Sequence, residues 1–411
     1  MTISLLSNPE RLRILVLTNS RTICIVVNMI RHLYKRVMQR IDSPEAIVIT
    51  GMRRVGKTTL LKQIYENLST NNKIFLDLEN PFNRKFFESD NYDEIAYELR
   101  NLGIDDKSRP FIFLDEIQFV KNIPSVVKYL LDHHGWKFYL TGSSSFYLKN
   151  LFSESLAGRK IIYELFPLNF PEFLEFKETK VKIPSRATAP SHTIITTLYK
   201  EYVEFGGFPG VVAKTSIPEK NETLDDIFSS YFQKEIENLS GFRSNKSIRD
   251  LISLLAKRVG SRIEVQKLAS ELGLNRATVN EYLEFLQGTY FISLISPYST
   301  NKDIEIRSAK KVYLCDSGMA RHLGQNEFGK VFENTIYHQL RTQGEVRYYQ
   351  RKSGVEIDFI LNEKLAWEVK TKANKHDISQ LDRLVKELGL NRGKVISFEY
   401  TNNPVFYGFQ I

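Results

Sequence analysis

Ala46-Ile47-Val48-Ile49-Thr50-Gly51-Met52-Arg53-Arg54-Val55-Gly56-Lys57-Thr58 is the stretch whose reading decides the fold. Its last eight residues fit the pattern G-x-x-x-x-G-K-S/T at every required position. The first five form a short β-branched run, the signature of a parallel strand buried on both faces. Beyond the loop, Leu60, Leu61, Ile64 and Leu68 recur on one helical face. Strand, glycine loop and helix in that order aim backbone N–H groups and a helix N-terminus at phosphates. The stretch predicts a nucleoside triphosphate site made by Gly51, Met52, Arg53, Arg54, Val55, Gly56, Lys57, Thr58 and Thr59. Lys57 is expected on the β- and γ-phosphates of ATP and Thr58 on Mg²⁺.

Working outward, Lys73–Leu78 reads as a second strand and Asp93–Leu102 as an amphipathic helix. Phe111-Ile112-Phe113-Leu114-Asp115-Glu116 is an apolar run ending in two acids, the Walker B form, whose carboxyl end opens onto the nucleotide crevice. Asp115 is expected to hold Mg²⁺, directly or through water, and Glu116 to polarise the attacking water. An ordinary strand end with solvated acids is the competing reading. Lys137–Ser145 is a further strand that brings hydroxyls to the same edge. Thr141 or Ser143 would sense the γ-phosphate, unless the serines only cap the next helix. Arg159 offers a cation to a neighbouring subunit's nucleotide, or simply starts the strand Ile161–Tyr163 as a surface arginine.

This order of motifs resembles the AAA-type ATPases of bacteria and archaea that carry a C-terminal restriction-endonuclease-like domain. The residues behind the resemblance are Gly51–Thr59, Leu114-Asp115-Glu116-Ile117-Gln118, Thr141–Ser145 and Gly158-Arg159. Phe166–Phe170 with Glu172-Phe173-Leu174, and Gly206-Gly207-Phe208-Pro209, belong to it as well. The likeness runs from about residue 30 to about residue 375. It implies an α/β P-loop core with the AAA-type strand order, a helical lid, and often an oligomer.

Composition agrees with a globular chain of several domains. Of 411 residues, 42% are hydrophobic and 26% charged. A net charge of +9 suggests a polyanionic partner, nucleic acid before an anionic membrane surface, although a nucleotide-binding protein can be basic for no further reason. Cys24 and Cys315 alone provide no disulfide framework or thiolate metal site, which fits a reducing cytoplasm. No apolar run is long enough to span a membrane. The coherent helical pattern of Leu33, Val37 and Ile41 begins just after Met29, which suggests Met29 as initiator. Residues 1–28 receive no structure, and a signal peptide is the weaker reading of their apolar part.

The chain thus divides into a leader at 1–28, a P-loop core at 29–179, a linker at 180–193 and a helical lid at 194–240. A winged-helix domain at 241–320 and a nuclease-like α/β domain at 321–411 follow. The linker is placed by Pro184, Ser185, Pro190 and Ser191. In the winged-helix part, Val265–Leu272 is a short helix closed by Gly273, and Asn275 caps the next one. Val279, Tyr282, Leu283 and Leu286 make its apolar stripe. Glu281 and Glu284 beside Arg276 would repel phosphates, so a module that packs domains competes with one that reads a DNA groove.

The last segment carries a second chemistry. Glu333 lies on a helix, Asp358 on a strand, and Glu368 with Lys370 on the next strand, two residues apart and so on one face. That layout resembles the PD-(D/E)XK nucleases. Asp358 and Glu368 would supply hard oxygen ligands to Mg²⁺ and Glu333 an outer one, while Lys370 would orient or deprotonate water. Arg347, Arg351, Lys352, Lys372 and Lys375 would ring the site with positive charge. A cross-strand ion pair on a solvated face is the plain alternative. The sequence therefore predicts an ATP hydrolase, with ATP and Mg²⁺ as ligands, whose C-terminal half engages nucleic acid, DNA favoured, in the cytoplasm. The alternative is a nucleotide-switched scaffold with a non-cleaving nuclease fold, or a site that binds the triphosphate without turnover.

Overall fold

The computed structural model describes residues 30–142, 156, 158–237, 242, 245–299, 308–351 and 353–411. The predicted leader, Ser143–Ser145 and Lys352 lie outside these residues.

Five parallel strands build the first sheet: β1 (Ala46–Thr50), β2 (Lys73–Asp77), β3 (Phe111–Asp115), β4 (Lys137–Gly142) and β5 (Lys160–Glu164). Their order is β2-β3-β4-β1-β5. Every residue of the interior strands β1 and β4 is buried, as a sheet covered on both faces requires. Alternate residues sort to opposite faces. Ile47, Ile49, Phe113 and Tyr139 join the core under the helix Lys57–Asn67. Val48, Ile112, Leu114, Phe138 and Leu140 join the core under the helices Tyr92–Asn101 and Ile123–His134. Because β4 lies between β1 and β3, its carboxyl end sits between the phosphate loop and the acidic pair.

Helices Ala189–Phe205 and Ile217–Tyr231 come next, and the second runs directly into a π-helical segment, Phe232–Glu237. The first begins at Ala189, inside the expected linker. Thr188 and Ser191 make a capping box there, with Pro190 in the first turn. Next come helix Asn245–Lys257, β6 (Arg262–Ile263), helices Val265–Leu272 and Arg276–Gly288, β7 (Ile292–Ile295) and β8 (Lys310–Leu314). These three strands pair antiparallel in the order β6-β8-β7. Gly273 closes the shorter helix at φ 64°, and the Asn275 side chain accepts the Thr278 N–H at 2.8 Å.

The C-terminal unit runs helix Phe328–Leu340, β9 (Val346–Gln350), β10 (Glu356–Leu361), β11 (Leu365–Lys370), helix Lys375–Glu387, β12 (Arg392–Ser397) and β13 (Phe406–Tyr407). β9, β10 and β11 are antiparallel neighbours, and β12 and β13 continue the sheet in parallel.

One hydrophobic core runs through all of these units, from Leu33 and Leu60 through Tyr199, Leu251 and Leu286 to Phe332 and Phe409. The tightest junction explains the Gly206-Gly207 pair. Leu168 N–H donates to Gly207 C=O at 2.7 Å, and Gly207 N–H donates to the Asp316 carboxylate at 2.8 Å. A Cβ on Gly207 would stand 2.1 Å from the Leu168 carbonyl oxygen, and one on Gly206, at φ 77°, only 1.8 Å from Asp316 Oδ1. Burial pushes the Asp316 carboxyl up to about 6 against the pull of the Gly207, Met319 and Gly318 amides. Gly207→Ala is expected to cost about 1–3 kcal/mol by overpacking. Denaturant unfolding would measure it, and a change under about 0.5 kcal/mol, the ordinary range of surface substitutions, would contradict this junction.

Candidate functional site

The phosphate loop leaves β1 and enters helix Lys57–Asn67. Gly51 adopts φ 149° and lies so near Leu165 that a Cβ would sit 2.1 Å from its carbonyl oxygen. Gly56 is left-handed at φ 99°, directly before the helix, so the first amides of the helix face the loop. Met52, Arg53, Val55 and Lys57 are buried, whereas Arg54, at φ 67°, and Thr59 are exposed. The Lys57 ammonium donates to the carbonyls of Gly51 and Met52, each at 2.9 Å. Burial pushes it below its ordinary value, while the carboxylates of Glu116, Glu235 and Asp115 pull it back up.

The acidic pair meets the loop. Asp115 is buried at the end of β3. Burial raises its carboxyl above the ordinary range, opposed by hydrogen bonds from Thr141 and Thr58. The Thr141 hydroxyl, at the end of β4, donates to Asp115 and accepts the Glu116 N–H at 3.2 Å. Glu116 sits in the left-handed region at φ 55°, ψ 50°. A non-glycine residue there costs free energy, and such strain concentrates at functional sites. The side-chain amide of Gln118 donates to the Glu116 carboxylate. Lys57, Thr58, Asp115, Glu116 and Thr141 therefore form one constellation.

Arg159 does not join it. Its guanidinium pairs with Asp132 at 2.7 Å. It precedes β5, whose first residue Lys160 pairs with Ala46, so it lies beyond the end of the sheet opposite the phosphate loop. Four residue steps separate those ends, about 13 Å along a strand.

Sequence reasoning missed two arginine partners. Arg31 donates to both oxygens of Glu172, at 3.0 and 3.1 Å, to the carbonyl of Val55 at 2.8 Å and to that of Phe166 at 2.8 Å. It thereby ties the phosphate loop to the segment after β5. Arg53 donates to Glu235 of the π-helical segment at 2.7 Å. The only sequence signal was indirect, in the Asn169–Glu172 capping box.

In the C-terminal unit the predicted residues gather around a lysine. Lys311 of β8 is buried, and its ammonium lies 3.6 Å from Glu333, 3.7 Å from Glu356 and 3.8 Å from Asp358. Burial opposes its charge, yet those carboxylates and Glu368 hold it above the ordinary lysine value. Glu333 accepts from the Tyr313 hydroxyl at 2.7 Å, Asp358 from the Val369 N–H at 2.8 Å, and Glu368 from Lys370 at 2.6 Å. Burial, then the Asp358 charge, pushes Glu333 and Glu368 upward. Among the described residues no three His, Cys, Asp or Glu side chains are placed to hold a metal ion. The expected cationic rim is largely paired. Arg347 meets Glu345 and Glu363, Arg351 meets Glu387, and Lys372 meets Glu399.

The helix Arg276–Gly288 lines an open groove of about 490 Å³ with Arg276, Asn280, Glu284 and Gln287, and Glu264 and Lys310 line it as well. Two acids thus balance two bases. The chain after β7 leans on the C-terminal sheet, where Tyr348 N–H donates to Ser296 C=O at 3.2 Å and the Tyr348 hydroxyl to Ala309 C=O.

Residues 43–174 match the family described as AAA domain, and their five-stranded parallel sheet, with the glycine loop after β1, fits the P-loop α/β fold. Residues 196–329 and 328–409 match two further families, each described as a domain of unknown function. An uncharacterized protein of Methanocaldococcus jannaschii is 29% identical over 366 residues, which cover 84% of this chain and 79% of the relative. One of Haemophilus influenzae is 26% identical over 339 residues, covering 79% and 82%. Among solved structures, a Signal Transduction ATPase with Numerous Domains from Pyrococcus horikoshii, with a tetratricopeptide repeat sensor, aligns at 17% identity and TM-score 0.28. That alignment covers 75% of this chain and 45% of the other, so the chain spans less than half of that structure. C. elegans PCH-2 aligns at 16% identity and TM-score 0.29, covering 64% of this chain and 70% of that one. No helix among the described residues is long and apolar enough to cross a membrane.

Proposed function

We propose that this chain is a magnesium-dependent ATPase whose C-terminal half engages nucleic acid, with DNA favoured. The observation that carries the ATPase reading is the Thr141 hydroxyl, which joins Asp115 to the Glu116 backbone beside the phosphate loop. Thr58 and Asp115 present hard oxygens to each other, a donor set suited to Mg²⁺. When bound, the ion supplies charge neutralisation on the triphosphate. Lys57 and the loop amides bind the phosphates. Glu116 orients the attacking water and takes its proton, held by Gln118. In an oligomer, Arg159 would serve a neighbouring subunit's site.

For the C-terminal half, the order of helix, three antiparallel strands, helix and parallel strand supports a restriction-endonuclease-like fold. The three helices and antiparallel sheet before it support a winged helix. In the cleaving version of the reading, Glu333, Asp358 and Glu368 take a metal ion and Lys370 orients water. Their present partners, Lys311 and Tyr313 for Glu333 and the Val369 amide for Asp358, do not fit that role. Lys311 favours the second reading, a nucleotide-switched scaffold, because its ammonium already stands among the carboxylates.

ATP turnover with and without single- and double-stranded DNA and RNA tests the whole. Turnover stimulated by DNA is the expected result. Stoichiometric ATP binding with no turnover would overturn the hydrolase. Mg²⁺- or Mn²⁺-dependent cutting that is lost in Asp358→Ala would revive the nuclease, and salt-dependent binding without cutting would support the scaffold.

A further inference from the structure

Three observations meet at Arg53. Its side chain is 9% exposed and that of its partner Glu235 is 2% exposed, so this ion pair lies in the interior. The hydrogen bond to Glu235 comes from Nε. The Nη2 nitrogen is buried with no hydrogen-bond partner among the described residues. A buried guanidinium N–H left without an acceptor is costly, and a planar fork with five donors can serve two anions at once. The side chain springs from the phosphate loop itself, and the charges of Arg53 and Glu235 both act on the Lys57 ammonium, the group aimed at the β- and γ-phosphates.

Glu235 belongs to the π-helical segment Phe232–Glu237. Such segments are rare and gather at functional sites. This one touches the nucleotide domain twice, since Lys234 also pairs with Glu79, just after β2, at 2.6 Å. On its other side, the Phe232 ring lies 4.0 Å from the guanidinium carbon of Arg249 in helix Asn245–Lys257. The segment thus connects the phosphate loop to the middle unit by side-chain contacts.

We propose that Arg53 is a second phosphate-binding cation on the γ-phosphate side, that Glu235 positions it, and that through this pair the π-helical segment distinguishes a nucleoside triphosphate from a diphosphate. The inference rests on the nucleotide site proposed above. It supplies a contact between the lid region and the nucleotide.

The test compares MgATP and MgADP affinities by calorimetry for the full chain and for Arg53→Met, Glu235→Gln and the double variant. In Arg53→Met, MgATP should weaken by about tenfold to a hundredfold, the worth of a hydrogen bond to a charged group, and MgADP by less than about threefold. The double variant removes both buried charges together, so it supplies the measurement if the single variant unfolds. Hydrogen exchange over residues 232–237 should differ between MgATP and MgADP in the natural chain and not in the double variant. An unchanged ratio of MgATP to MgADP affinity in folded Arg53→Met or in the folded double variant would overturn the proposal while leaving the nucleotide site intact. Failure of the natural chain to bind MgATP would instead overturn the nucleotide site.

Discussion

Glu116→Gln is expected to lower kcat for ATP by about 10²–10⁴-fold, the contribution of a positioned general base. MgATP affinity should change much less, because in the proposed site Lys57 and the loop amides hold the phosphates. The substitution is close to a pure removal of charge and basicity. The Thr141 hydroxyl reaches this residue through its backbone N–H, which glutamine keeps. The left-handed backbone at φ 55° imposes a similar cost on either side chain, and the oxygen of the new amide can still accept from Gln118. Lys57→Ala is the contrasting variant, expected to lose binding and turnover together because that ammonium sits inside the loop. Single-turnover hydrolysis and equilibrium binding of labelled ATP separate the two. Turnover in Glu116→Gln within about threefold of the natural chain would remove Glu116 as the base.

The parts of this site that could be read from the sequence are those whose signals are local. A loop of fixed spacing, an apolar run ending in two acids and a hydroxyl at the next strand end each declare themselves within ten residues. Parallel pairing of β1, β3 and β4 then brings them together without further instruction. Arg31 and Glu172 are 141 residues apart, and Arg53 and Glu235 are 182 apart. No periodicity links such positions. Lys311 likewise reads as one basic residue in a short strand until the fold sets it against Glu333, Glu356 and Asp358. Charge counts around the C-terminal site misled for a related reason, since a sequence shows Arg347 or Arg351 but not the glutamates that neutralise them. The helix Ala189–Phe205 begins inside the stretch whose prolines and serines suggest a linker. In the first turn of a helix proline sacrifices no hydrogen bond, so Ala189 could begin one.

The Arg31–Glu172 pair is where the fold of the nucleotide domain should be most sensitive to a single change. Its side chains are 9% and 4% exposed, so Arg31→Met strands a buried carboxylate and is expected to cost about 3–5 kcal/mol. Arg31→Met combined with Glu172→Leu removes both charges and should recover part of that loss, although Val55 and Phe166 still lose a donor. The pH dependence separates a charge effect from simple loss of packing. Burial pushes the Glu172 carboxyl up, but the Arg31 charge and hydrogen bonds and the His32 and Asn169 amides outweigh it and hold the group below its ordinary 4.5. A carboxyl lowered in the folded state stabilises it fully above the ordinary value and stops doing so as pH falls through the lowered one. In Arg31→Met the same carboxyl loses its cation, burial dominates, and its pKa should rise, so acid relieves the variant while it weakens the natural chain. The stability gap between them, followed by denaturant titration from pH 7 downward, should therefore narrow as the pH drops towards and below 4.5. A gap that stays constant over that range would mean that the arginine contributes packing alone, and that the phosphate loop is held in place by something other than this charge.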